Sequence, residues 1–372
     1  MTRLLSALAA ALLLVAGCDR LDRAITGLPP AVGPVPDVMV VMDSTTFAGV
    51  VGDALREELA SPIPTLPSRQ GPFKLNRLEP GTRLANRARG MRHVIYAAPV
   101  DEDSPVGDML RRSLSPEQIA AVRAGTAEGA VFRSDLWVNG QTVVFLTAAS
   151  DTALAATILR HGPEMRRAFN RVARQATAAD IFGRHRQTDL EARMLDALGV
   201  RVHVQYDFVV THDTTLTADG RTGRVMRLRR VLTDTWRDYF LFVEDGVREI
   251  PDSASVARLT DDVLRQIALG TVEGSFVQTD PLRPASQDTV TIGGRPATEA
   301  RGLWYMTNDL MGGAYVRYAT IVDPGQPGQA PRLVLFYGMT FAPDRALDKR
   351  EFLRQMEATA FTLTTEPPPV EG

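Results

Sequence analysis

A single cysteine, Cys18, stands in 372 residues. One thiol cannot close a disulfide within the chain, so the fold has to be held by buried apolar surface and not by staples. The composition allows this, because 44% of residues are hydrophobic and the length suits two domains of ordinary size. Basic and acidic residues nearly balance, 42 against 44, which leaves no overall basic footprint for nucleic acid. Lys74 and Lys349 are the only lysines. With arginine dominating everywhere, an arginine cluster is weak evidence for an anionic partner.

The position of that cysteine carries its own meaning. Arg3 precedes an apolar run, Leu4 to Leu14, and Val15-Ala16-Gly17 leads directly into Cys18. A charged start, a short apolar core and small residues at a cleavage point are the layout of an export signal. Fourteen apolar residues, Leu4 to Gly17, fall short of the ~20 that a transmembrane helix needs. The segment resembles the lipobox of bacterial lipoproteins. That resemblance implies acylation of Cys18 (a palmitate-type lipid), membrane lipid as a partner, and a place in the cell envelope facing away from the cytoplasm. Residues 1–17 are then a signal peptide, and 18–37, rich in Pro and Gly, read as an extended tether.

Residues 38–149 read as an N-terminal α/β domain. Val38 to Met42 is a continuous apolar run fitting a buried strand. Phe47, Val50, Val51, Ala54, Leu55 and Leu59 recur at helical spacing, and prolines 62, 64 and 67 end that helix. Further strands are expected at Phe73 to Leu78 and His93 to Val100. Asn139-Gly140 predicts a hairpin joining Leu136–Val138 to Val143–Leu146. Residues 150–199 read as a helical connector, with Gly162-Pro163 interrupting it. On its second helix Arg166, Arg167, Arg171 and Arg174 form either a lipid-facing patch or a solvated face.

Residues 200–364 read as an α+β domain. Val202, Val204, Tyr206, Phe208 and Val210 alternate with polar residues, as in an antiparallel strand with one buried face. Strands follow at 225–232, 239–243, 289–292, 297–306, 314–322 and 333–341. Helices are expected at Ser253 to Leu269 and after Asp348. The whole is an α+β fold of two small domains, each an antiparallel or mixed sheet covered by helices. Residues 365–372 read as a disordered tail.

Three blocks resemble a known family: Val38 to Asp43 with Gly52 to Arg56 and Pro62 to Pro64; Arg301 to Trp304, Met311 to Gly313 and Phe341 to Pro343; and Lys349 to Glu357. Together they look like the domain-of-unknown-function 4837 family of lipoproteins from Bacteroidota. The resemblance implies the anchored location and no known activity. The strand and helix order of 201–364 is more loosely similar to the PsbP-type fold, and fold does not give function.

Chemistry-bearing constellations are few. The histidines, at 93, 161, 185, 203 and 212, lack metal-ligand spacing. No nucleophile elbow, phosphate loop or dinucleotide fingerprint occurs. Neither catalytic residues, a metal site nor a cofactor is expected. The candidate binding surface is Arg301, Trp304, Asn308 and Asp309 beside Gly312-Gly313, since Trp and Arg are enriched at binding hot spots. Trp304 packed in the core is the competing reading. Two function classes stand: a non-catalytic envelope module that binds a protein or glycan partner, and an envelope hydrolase or glycan-active enzyme with a composite active site.

Overall fold

The structure is a computed structural model describing residues 27–369 apart from 128, 184, 234 and 324–329. Its backbone divides into two compact units, residues 1–60 with 73–173, and 61–72 with 174–372. The architecture is α+β, with one mixed and one antiparallel sheet.

The N-terminal unit is a five-stranded sheet in the order β2-β1-β3-β5-β4. β1 (Asp37–Val41), β2 (Lys74–Leu78), β3 (His93–Ala97) and β5 (Thr142–Thr147) run parallel, and β4 (Gly129–Ser134) is antiparallel to β5. Parallel strands need cover on both faces. Val38 and Val40 face a core made with α1 (Val50–Ala60) and the first part of α4 (Asp151–Phe182), through Leu55, Leu59, Ile158 and Phe169. Met39 and Val41 face a second core with Val106 and Leu110 of α2 (Pro105–Arg112). α3 (Pro116–Arg123) opens with a complete capping box from Ser115 and Gln118.

Several local expectations give way here to tertiary contacts. The β4–β5 hairpin pairs Ser134 with Thr142, so Leu136–Val138 lie in its loop and not in a strand. Asn139 pairs instead with the incoming chain: its N–H donates to Pro29 O and its C=O accepts from Ala31 N, both at 2.8 Å. Val32 N donates to Gly90 O at 2.9 Å and Lys74 N to Pro36 O at 2.8 Å. The C-terminal part of the expected tether is therefore docked on this unit. Gly162-Pro163 does not interrupt the connector either, since α4 is one helix, Asp151–Phe182, with Pro163 inside it. A Cβ at Gly162 would lie 1.9 Å from the Glu58 carboxylate. The glycine serves that close approach of α1, where Glu58 pairs with Arg166. Arg174 is half-buried with its guanidinium 4.0 Å from the Phe361 ring centroid, so Arg166, paired with Glu58, and Arg174 do not belong to a solvated patch.

The C-terminal unit is an eight-stranded antiparallel sheet, β10-β11-β12-β13-β8-β7-β6 with β9 added beside β11. Its strands are β6 (Val209–Ala218), β7 (Arg221–Val231), β8 (Trp236–Asp245), β9 (Val277–Thr279), β10 (Ser286–Ile292), β11 (Arg295–Met306), β12 (Gly312–Val322) and β13 (Arg332–Phe341). α5 (Thr188–Leu198) and α7 (Lys349–Ala360) contribute Met194, Leu198, Leu353 and Met356 to the core on one face. α6 (Ser253–Ile267) contributes Val256, Leu259 and Val263 on the other. The helices thus cover opposite faces of the sheet. Residues 61–72 belong to this unit: Leu66 enters its core, and Gln70 bonds Leu347 O and Arg350 N at 2.9 and 3.1 Å.

The alternation at 202–210 is real, but only its end is strand. Val202 and Val204 are buried with their N–H groups donated to Met194 Sδ and Glu191 Oε1. His203 N bonds Thr362 Oγ1 at 2.8 Å. This extended segment lies between α5 and the chain's end, so its period reflects two packed sides without a sheet ladder. Arg201 likewise bonds Glu366 O at 2.6 Å and Pro367 O at 3.0 Å, so the tail is held at least that far.

The docking of residues 29–36 gives a measurable consequence. A chain shortened to begin at Val38 loses four backbone hydrogen bonds, at ~0.5–1.5 kcal/mol net each. Urea denaturation of the N-terminal unit should show about 3 kcal/mol less stability than a chain beginning at Gly27. Equal midpoints and slopes for the two would contradict the docking.

Candidate functional site

The four residues expected as one binding surface do not form one. Trp304 is 1% exposed and packs against Trp236, with ring centroids 5.2 Å apart. Its Nε1–H donates to Thr340 O at 3.2 Å. Gly313 pairs with Trp304 across the ladder, and a Cβ there would come 2.9 Å from the indole nitrogen and 2.0 Å from Thr340 O. Gly312 and Gly313 both belong to β12, and Gly313 makes room for the ring. The physical reason is the two-sided helical cover: a residue turned away from α7 meets α6 and not water.

Arg301 lies on the opposite face of β11, as the period of two requires. Its Nε and Nη2 grip Glu299 at 2.7 and 2.9 Å, and Nη1 donates to Glu357 Oε1 at 2.5 Å. Arg350 Nη1 donates to the same oxygen at 2.6 Å. Burial alone would raise the Glu357 pKa, but Arg301 and Arg350 outweigh it and hold the carboxyl well below its ordinary value. Both guanidinium groups are thereby committed to structure. Only Asn308, in the left-handed region at φ 58°, and Asp309 remain at an exposed turn tip. Cys18 lies outside the described residues.

Two of the histidines, His93 and His203, are placed in packing. His93 is fully buried between Phe73 and Phe169 (centroids 5.6 and 5.0 Å), and His203 meets Phe182 edge-on at 5.3 Å. Burial, then the nearby Arg186, push the His203 pKa down to about 4. Among the described residues no group of three or more His, Cys, Asp or Glu could hold a metal ion, and no helix is long and apolar enough to cross a membrane.

A cleft of about 780 Å³ opens in the C-terminal unit, between the end of α5 and the strands β6, β7, β8 and β13. Asp196, Thr215, Thr222, Arg224, Asp245 and Arg332 line it. Two glycines shape it. Gly199 ends α5 at φ 67°, and a Cβ there would lie 1.5 Å from Arg332 Nη1. Its absence lets Arg332 cap the helix at Leu198 O, 3.0 Å away. At Gly223 a Cβ would strike the Phe242 ring at 2.4 Å. Asp213 accepts from Arg193 and Arg224, each at 2.6 Å. Burial works against its charge, but these two donors hold its pKa below the usual carboxylate value. Arg332 lies 3.3 Å from Asp245. The wall is therefore hydroxyls and paired charges, suited to hydrogen bonding a polar chain. Sequence reasoning missed it because Gly199 reads only as a helix stop and the Thr-rich β6 lacks an apolar period.

Residues 190–362 match the model of a family described as Domain of unknown function (DUF4837). The chain carries a DUF4837 domain. The second and third sequence blocks, through Trp304 and Glu357, lie inside it. Residues 31–182, with the first block, match another family, Domain of unknown function (DUF8532). No curated protein and no solved structure matches the chain.

Two outcomes follow from the geometry of the DUF4837 domain. Trp304→Ala should cost about 3–5 kcal/mol in denaturant unfolding, the range for truncating a buried aromatic; a change below 1 kcal/mol would place the indole outside the core. His203 stays neutral in the fold while the unfolded chain takes up a proton below pH ~6.5. Its contribution is full above that pH and is lost as pH falls toward about 4, on the order of 2 kcal/mol after discounting for its partial exposure. His203→Phe should flatten the stability–pH curve between those values.

Proposed function

We propose that this is a lipid-anchored protein of the bacterial cell envelope, held by acylated Cys18, facing away from the cytoplasm, and acting as a non-catalytic binding module. The polar cleft of the DUF4837 domain is its binding site for a segment of a protein or glycan partner. The observation that carries the reading is the cleft's wall of hydroxyls and committed charges: Thr215 and Thr222 line it beside Arg224, which donates to Asp213 at 2.6 Å, and Arg332, which lies 3.3 Å from Asp245. Thr215, Thr222 and the guanidinium edges offer hydrogen bonds without a primed nucleophile. The signal-like segment before Cys18 supports the anchor, as does the likeness of the blocks to Bacteroidota lipoproteins.

The test has two arms. Cys18→Ser should move the protein from the membrane to the soluble fraction, and wild-type mature protein should carry the mass of its acyl chains. A photo-crosslinking residue at Thr222 should give discrete adducts in cells that Arg224→Glu suppresses, whereas one at Asn308 should not. Membrane retention of the Cys18→Ser protein after a high-salt wash would remove the anchor. Equal adducts from both positions would remove the cleft.

A further inference from the structure

The docked N-terminal segment fixes which end of the N-terminal unit lies nearest the anchor. Pro29, Ala31 and Val32 bond Asn139 and Gly90, beside the amino-terminal ends of the parallel strands β3 and β5, which begin at His93 and Thr142. Cys18 lies ten residues before Leu28. At no more than ~3.6 Å per residue it stays within about 36 Å of this end whatever path it takes.

That end has a distinct surface. Val32 is 57% exposed and Leu136 38%. Trp137 is half-buried, with the Arg89 guanidinium 5.4 Å from its ring. Arg92 Nη2 reaches Ala31 O at 3.5 Å. Arg87 and Arg133 are also exposed, at the end of the short helix Arg83–Arg87 and near the end of β4. Several surface arginines of this unit have acidic partners, as in Arg56–Asp53, Arg77–Glu79, Arg111–Asp108 and Arg123–Asp101. Among the described residues Arg87, Arg89, Arg92 and Arg133 are in no such pair. The nearby Asp135 turns one carboxylate oxygen inward, to Gly140 N at 2.6 Å and Gln141 N at 3.1 Å. In a chain with net charge −2, these four arginines gather beside exposed apolar side chains, Val32 and Leu136.

The geometry points to this end as a membrane-facing surface that rests on anionic phospholipid headgroups. Guanidinium groups meet phosphates, while Val32, Leu136 and the edge of Trp137 enter the boundary between headgroups and acyl chains. Indole and arginine stems suit that zone because each joins an apolar body to a polar end. The length and exit point of the chain before residue 28 select a membrane over a protein partner, an inference that rests on the acylated Cys18 proposed above. Lipidation brings the unit to the bilayer, and this surface orients it there.

The test separates the two ideas by using the mature-length chain with Cys18→Ser, which has no acyl group. It should co-sediment with vesicles containing phosphatidylglycerol at low salt, not with pure phosphatidylcholine vesicles, and should be released by 0.5 M salt. Brominated lipids should quench Trp137, since Trp236 and Trp304 are buried. Each arginine at an anionic surface contributes about five-fold in partitioning, so Arg87→Glu, Arg89→Glu and Arg133→Glu together should lower it roughly 100-fold with an unchanged melting curve. Arg133→Glu alone, the mildest variant, should lower it about five-fold or more. No binding to anionic vesicles, equal binding to both vesicle types, or a triple variant that binds like wild type would overturn the proposal. So would protein adducts through position 133 without vesicle binding. Failure of acylation would show separately, as a missing acyl mass on the wild-type chain.

Discussion

Both faces of the eight-stranded sheet are buried, one beneath α5 and α7 and the other beneath α6, and much else follows from that. Without a disulfide available to the described chain, apolar area is found on both sides of the central strands, and each fully buried large side chain contributes ~1.5–3 kcal/mol. β12 and β13 accordingly read as near-continuous buried runs, which is unusual for antiparallel strands, whose outer face is commonly wet. A polar residue on such a strand has no water to face.

This constraint explains the ionic groups inside the C-terminal unit. Arg301 and Arg350 meet Glu357 on one face. Arg227 meets Asp238 through two hydrogen bonds, 2.9 and 2.5 Å, on the other. Glu191 takes Arg186 and Arg201 between α5 and the extended segment. Buried pairs add little net stability over apolar replacements, yet leaving one partner alone is costly. They therefore act as registration points: a strand slipped by one residue would leave several charges unpaired at once. Arginine suits the task because its planar fork grips two oxygens together and stays charged when buried.

Most strands and helices of this protein were legible in the sequence, because period and capping are local properties. β11, β12, β13, α6 and α7 follow apolar patterns that a single strand or helix can carry. What escaped was set by distant residues. Whether Trp304 faces water depends on which sheet face α6 covers, and nothing between Arg301 and Gly313 encodes that. Gly162-Pro163 reads as a break until Glu58, a hundred residues earlier in the chain, is found against the glycine. The 202–208 alternation looks like a strand because α5 and the chain's end impose the same two-sidedness that a sheet would. The cleft was hidden for the same reason, since its wall gathers Gly199, Gly223, Arg224 and Arg332 from three separate elements.

The early excursion of residues 61–72 bears on heredity as well as packing. Sequence families divide this protein near residues 182 and 190, as if two cassettes had been joined end to end. The C-terminal unit nevertheless takes Leu66 into its core and borrows Pro72 O as the acceptor for Arg354 at 3.0 Å. A gene fragment cut at the family border would encode a DUF4837 domain with a gap where Leu66 sits and an arginine short of its carbonyl. Recombination at that border is penalised, so the two families in this chain are bound to evolve as one linked gene.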